Sequence, residues 1–253
     1  MASSNFPRCL AQILKHEGGF TKNPKDPGNW TGGKVGKGKL VGTLRGIAAS
    51  AHPGLDIPNL TDEKIASIYR AQYFTPAGCE ALPVGLDLAV FDPAVNSGVS
   101  RAKKWHEAAK GAGSTKAQIQ KLCAARMAFL RGLATFKTFG KGWTTRVAHV
   151  EATAVSWALA VGTSPAVAKA ELQAEAVKAG KARIAAKKSA TASAAAAPAP
   201  AALPSDAVMS PDLWPYAVGG VAVMLVVTAA VFAYRARVQG ARADAYREAA
   251  ANG

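Results

Sequence analysis

Residues 18–46 carry nine glycines and two prolines, and this segment constrains everything around it. Glycine and proline at that density break helices. The segment reads as loop with at most a short hairpin, so the rest of the chain must supply the core. The flanking apolar residues recur at helical spacing. Phe6, Cys9, Leu10, Ile13 and Leu14 fall at i, i+3, i+4, i+7 and i+8, one face of a helix over residues 5–16. Ser3 or Ser4 can cap its start, and Gly18-Gly19 can end it.

Glu17 therefore falls in the last turn of that helix, beside its apolar face. The negative end of the helix dipole and an apolar surrounding both favour the protonated carboxyl. A protonated carboxyl at neutral pH is what a general acid requires. A surface Glu ahead of a Gly-Gly cap explains the same spacing, and spacing alone does not choose.

More helices follow. Thr61 can cap one opening with Asp62 and Glu63 and running to about Phe74. Residues 84–98 are apolar, with Pro93 predicting a break or kink near Asp92. Ser100 opens a helix that puts Trp105 on its apolar side. Thr115 can cap a longer one carrying Ile119, Leu122, Cys123, Met127 and Leu130. Another runs from Trp143 to about Val161, and Ser164-Pro165 starts the next. Residues 166–188 are rich in Ala, Lys and Glu and read as an exposed stalk. Residues 189–205 are almost entirely Ala, Pro, Ser and Thr, a linker without a core. The 22 residues Leu213–Tyr234 carry no charge. At 1.5 Å per residue that length matches a hydrocarbon layer of about 30 Å. Trp214, Tyr216 and Tyr234 flank it as interfacial aromatics do, with Arg235, Arg237, Arg242 and Arg247 behind.

The formal charge is +15, and residues 1–160 hold 21 Lys and Arg against 10 Asp and Glu. A basic surface suits an anionic partner. No metal-finger spacing, RNA-binding signature or helix-turn-helix accompanies it, so nucleic acid is not expected as the partner. Cys9, Cys79 and Cys123 form no metal or redox motif and read as buried apolar residues. His16, His52, His106 and His149 are scattered, so no metal and no cofactor are expected.

Glu17-Gly18-Gly19-Phe20, Pro24, Asp26-Pro27-Gly28 and Thr31 resemble the signature of glycoside hydrolase family 108, the N-acetylmuramidases of phage endolysins and prophage regions. The likeness continues through Gly46-Ile47 and residues 90–98, where Asp92 and Asn96 lie. It extends to Lys141-Gly142-Trp143 and Arg146-Val147, which resemble the peptidoglycan-binding half of these proteins. It covers roughly residues 5–160. Phe20 stands where the family usually has Tyr. Gly32–Thr43 is longer and more basic than the compact form of the motif.

The resemblance implies a mainly α, lysozyme-like α+β fold with a small Gly-rich β-lobe. It implies a catalytic region over residues 1–82 and a peptidoglycan-binding half over 83–162 of the same globule. A stalk over 163–188, a linker over 189–212, a transmembrane helix over 213–234 and a basic tail over 235–253 complete the expected order, with residues 1–160 self-sufficient. Glycosidic cleavage usually uses two carboxyls. Glu17 is the expected acid, Asp26 the second carboxylate, and Thr31 the holder of a water. Asp26 before Pro-Gly is equally a turn residue. Thr31 stands one residue short of its counterpart in phage-type lysozymes. Phe20, Trp30, Asp92 and Asn96 are the expected substrate-binding residues, although capping or core hydrogen bonding explains the last two as well.

The expected activity is a peptidoglycan hydrolase acting between N-acetylmuramic acid and N-acetylglucosamine, in an endolysin-like role. The competing expectation is a membrane-tethered wall-binding protein without lytic function. The trailing arginines place the C-terminus in the cytoplasm and the catalytic region on the periplasmic side of a bacterial inner membrane. Met1–Phe6 offers no charged stretch followed by an apolar core, so another route to the wall is required. Oligomeric state is not legible.

Overall fold

The first helix forms where the apolar spacing puts it, and its buried face organises the N-terminal half. In the computed structural model, which describes residues 5–195 and 214–252, α1 spans Phe6–Glu17 and buries Phe6, Cys9, Leu10 and Ile13. Gly18 ends it at φ +71°, a conformation that suits glycine. Ser3 and Ser4, the expected caps, lie outside the described residues. Asn5 occupies the cap position but donates its side-chain amide to Asp87 at 2.7 Å.

The glycine-rich segment becomes the β-lobe. β1 (Thr43–Leu44) and β2 (Ile47–Ala48) pair antiparallel, with Leu44 opposite Ile47. Arg45 and Gly46 make the two-residue turn, both at positive φ (46° and 78°). That combination matches the twist of a tight hairpin. Thr21 bridges to Thr43 and Trp30 to Leu40, so the chain after α1 lies along the same small sheet.

α2 (Asp62–Tyr69) starts at Thr61, whose side chain accepts from the Lys64 amide at 3.2 Å. It passes into a π-helical turn over Arg70–Phe74. α3 (Leu86–Ser97) runs through Pro93 without interruption, against the expected break. Every residue from Leu86 to Ala94 is buried, and packing on all sides outweighs the one missing backbone hydrogen bond. α4 (Val99–Ala109) buries Trp105, and α5 (Thr115–Arg131) is capped by Ser114 rather than Thr115. The core gathers Phe6, Phe74 and Phe91, with centroids 5.0 Å apart between Phe6 and Phe74 and 5.1 Å between Phe74 and Phe91. Tyr69 closes it edge-on to Phe91.

The chain divides into two compact units, residues 1–126 and 127–253. The two expected halves of one globule, 1–82 and 83–162, meet where Phe91 of α3 packs with Phe6 of α1.

The second unit holds α6 (Phe136–Gly162), α7 (Pro165–Ala195) and α8 (Trp214–Asn252). α6 begins at Phe136, not at Trp143. α7 is not an exposed stalk: Ala168, Leu172, Glu175, Ala176, Ala179 and Ala186 are buried along one seam. α8 packs against it antiparallel, with Gly180 facing Arg247 and Gly240 facing Arg183. Alanine and glycine on both sides permit that close approach. α7 also runs past the expected linker start at 189, and residues 196–212 lie outside the described residues. The expected basic tail is the second half of α8, where Ala236, Ala243, Ala245, Tyr246 and Ala250 are buried. The first half is different. Val223, Met224, Val226 and Val227 are 55–69% exposed, on a helix long and apolar enough to cross a membrane.

Candidate active site

Glu17 is the last residue of α1, half-buried, with the hairpin turn against its carboxylate. A Cβ placed on Gly46 would lie 3.0 Å from Glu17 Oε2 and 2.6 Å from the Tyr69 hydroxyl. Glycine at position 46 is thus needed twice, for its positive φ and for this approach. Tyr69, 2% exposed, donates its hydroxyl to the Arg45 carbonyl at 2.8 Å. Arg45 in turn reaches Asp62 at 2.6 Å. A turn with a non-glycine residue at positive φ is therefore held from below by Tyr69 and from the side by Asp62.

Asp26 caps the 3-10 turn Pro27–Asn29, and its Oδ1 accepts from the Gly28 amide at 2.8 Å. This is the turn use that the sequence left open, and one carboxylate oxygen is engaged in it. The side chain is exposed. The same turn sits on β2: the Gly28 carbonyl accepts from Ser50 at 3.0 Å, and its Cβ position lies 3.8 Å from Ala48. Glu17 meets the hairpin at Gly46 and the Asp26 turn meets it at Ala48. The two attachment points are two residues apart along the extended chain from the turn into β2, roughly 7 Å at strand rise.

Thr31 Oγ1 accepts from the Lys39 amide at 2.9 Å, so its oxygen is tied to the long basic loop. Trp30 donates its indole N–H to the Pro24 carbonyl at 2.9 Å and is half-buried. Phe20 is 48% exposed, with its ring over Gly42, where a Cβ would come within 2.7 Å of it. An exposed aromatic three residues from Glu17 offers a flat apolar face of the kind that stacks on sugar rings.

The structure separates Asp92 and Asn96 from this group. Asp92 is 1% exposed and forms an ion pair with Arg126, itself 1% exposed. Arg126 also donates to Asn96 Oδ1 at 3.2 Å. The carboxylate is sealed from solvent in this conformation, and the core hydrogen bonding that the sequence left open for Asp92 is the contact it makes here. Its two helices are thereby tied together. Asn96 is exposed but shares the same guanidinium.

Two residues that organise the site were not singled out from sequence. Asn29 is fully buried. It donates to the Asn23 carbonyl at 3.0 Å and accepts from Thr43 Oγ1 at 2.7 Å, so it joins the loop to β1. Its carbonyl accepts from the Val41 and Gly42 amides. Arg126, 1% exposed, holds Asp92 and Asn96. The signal for Asn29 was its place after Pro-Gly, while Arg126 had none.

The description Glycosyl hydrolase 108 matches residues 10–98, which include every sequence-derived site residue. The solved structure of Brucella abortus SagA is similar at 32% identity and a TM-score of 0.50, over 62% of this chain and 97% of that one. No curated protein matches. With helix end, glycine-rich turn and hairpin all inside the matched segment, and SagA aligned along almost its whole length, the chain belongs to glycoside hydrolase family 108 and is a glycoside hydrolase.

Proposed function

We propose that the protein is an N-acetylmuramidase, hydrolysing the bond from N-acetylmuramic acid to N-acetylglucosamine in peptidoglycan, with Glu17 as general acid. The observation that carries this reading is the seat of Glu17, at a helix end against a backbone turn that only glycine at position 46 permits. Glu17 gives its proton to the leaving glycosidic oxygen, and a water supplies the hydroxyl at the anomeric carbon. The free oxygen of Asp26 faces the positive charge that develops there or orients the water, as such pairs do. Phe20 and Trp30 line the sugar path, and the basic loop Gly32–Lys39 suits the anionic stem peptides. Residues 83–162 contribute to peptidoglycan binding.

The test is incubation of the full chain with purified peptidoglycan, following turbidity and the identity of new reducing ends. Reducing N-acetylmuramic acid supports the assignment. Reducing N-acetylglucosamine contradicts it.

A second reading, a membrane-tethered wall-binding protein without lytic function, is favoured by one observation. Asp26 Oδ1 and Thr31 Oγ1 both accept backbone amides, as purely structural residues do. Binding to peptidoglycan with no new reducing ends would select it.

Residues 213–234 anchor the protein in this proposal, with the catalytic region on the periplasmic face of the inner membrane and an endolysin-like role in lysis. A single crossing puts residues 235–252 on the far side of the bilayer from α6 and α7. The packing of α8 on those helices and a crossing are therefore alternatives. Fractionation should find the full chain in membranes and resistant to high salt, and deletion of 213–234 should release it.

A further inference from the structure

A cavity of about 580 Å³ opens among α6, α7 and α8, and its walls are strongly basic. Lys141 of α6, Arg183 and Lys187 of α7 and Arg237 of α8 all line it. None of these four pairs with a carboxylate among the described residues. The one acidic residue in the lining, Asp244, is occupied by Arg247 at 2.7 Å. Four cations turned on one cavity repel one another, and a bound anion would relieve that repulsion.

The cavity is shaped as well as charged. Arg183 is half-buried, and its Cδ and Nε lie 3.3 Å from where a Cβ on Gly240 would stand. Glycine lets the guanidinium stem lie flat on α8, at the cavity wall. The remaining lining is small, with alanines such as Ala233 and Ala236 beside Thr144, Thr145 and Thr191.

Position along α8 selects the anion. The cavity begins at Ala233, where the charge-free run ends, and the helix just before it exposes Val223, Met224, Val226 and Val227. A phosphate in the cavity that carried acyl chains could lay them along that apolar face. Basic pockets beside apolar helices bind phospholipid headgroups in this manner. We propose that the cavity binds the headgroup of an anionic phospholipid. It joins residues from before and after the apolar run, so it exists only while α8 is packed on α6 and α7. The bound lipid therefore belongs to a form resting on a bilayer face, not to a single-pass form. The proposal rests on contact of the apolar run of α8 with a bilayer, not on the crossing proposed above, and is independent of hydrolysis.

The experiment uses the full chain in dodecyl maltoside micelles doped with phosphatidylglycerol or phosphatidylethanolamine, with bound lipid counted by native mass spectrometry. Phosphatidylglycerol should be retained in preference to phosphatidylethanolamine. Arg183→Gln with Arg237→Gln should lower its retention roughly tenfold or more, since each cation near an anionic lipid contributes appreciably. Lys141→Gln with Lys187→Gln, at exposed positions that do not threaten folding, should lower it in the same direction. Lys103→Gln with Lys104→Gln, of equal charge change on α4, should not. Equal retention of both lipids, or no loss in either cavity variant, overturns the proposal. So does displacement of the lipid by excess inorganic phosphate or by a soluble glycerol-phosphate polymer, which would make this a phosphate or wall-polymer site. Membrane fractionation of the same variants keeps the two claims apart. Chains that stay in the membrane but lose headgroup preference sink only the cavity, and a soluble full chain sinks the anchor.

Discussion

The Tyr69 hydroxyl donates a hydrogen bond of 2.8 Å to the carbonyl of Arg45, 24 residues earlier in the chain. This bond fixes the turn against which Glu17 rests. Tyr69→Phe keeps the ring packed on Phe91 and removes the hydroxyl that makes this hydrogen bond. Its net loss is about 0.5–1.5 kcal/mol of stability. If the turn positions Glu17, kcat should fall several-fold with KM little changed. A lower melting temperature at full kcat would reduce Tyr69 to a packing residue.

Gly46→Ala tests the same contact from the other side. The new methyl would meet both the Tyr69 hydroxyl and Glu17 Oε2, at a φ of +78°. The backbone strain alone is about 1–2 kcal/mol. Hydrolysis should drop by more than tenfold while circular dichroism stays helical. Gly54→Ala is the control, since no atom lies within 4 Å of its Cβ position and its φ is not in the left-handed range. Equal activity in the two variants would contradict the placement of Glu17.

Asp87 should give the first unit a distinctive pH dependence. Burial pushes its carboxyl above the usual Asp range, although hydrogen bonds from Asn5, Leu88 and Gly85 pull the other way. The nearby thiols Cys9 and Cys79 are themselves pushed up by burial and stay neutral, and the Arg8 guanidinium is the cation in reach. A carboxyl raised on folding stabilises below its unfolded value of 3.8, and that contribution is lost as pH rises through the folded value. The melting temperature of wild type should therefore fall from acid toward neutral pH relative to Asp87→Asn, in which the group cannot ionise. Parallel curves for the two proteins would show that Asp87 does not carry this dependence.

In the second unit, Arg242 Nε and Nη2 both donate to Glu151 Oε1, at 2.9 and 2.7 Å, and the Tyr246 hydroxyl adds a third bond at 2.9 Å. Glu151 is 3% exposed. Arg242→Ala strands a buried carboxylate and should cost about 3–5 kcal/mol. A chain ending at residue 160 loses Arg242, Tyr246 and the α7 and α8 surfaces together. It should aggregate or melt without cooperativity, against the expectation of a self-sufficient 1–160 fragment. A sharp cooperative melt for that fragment would restore the earlier boundary.

Much of the first unit was legible because its signals are local. The apolar stripe of α1 and the Gly-Gly stop place Glu17 at a helix end, and the glycine-rich stretch marks the β-lobe. The ion-pair partner of Asp92 was not legible, because Arg126 lies 34 residues away and nothing local marks a buried guanidinium. Nor was the second unit. An alanine seam has almost no hydropathy contrast, so α7 read as solvated until its pairing with α8 was seen. Pro93 misled for the opposite reason: a strong local signal was overridden by burial on every side of α3.

The most direct measurement of the central claim is the turnover of Glu17→Gln on purified peptidoglycan, read as new reducing ends, beside its melting temperature. Glutamine preserves the shape of the side chain and cannot donate the proton. General acid assistance is worth roughly 10²–10⁴-fold. The account predicts a folded protein with an unchanged melt, bound to peptidoglycan, and turnover reduced by at least that lower figure. A folded Glu17→Gln variant that releases reducing ends at close to the wild-type rate would contradict it.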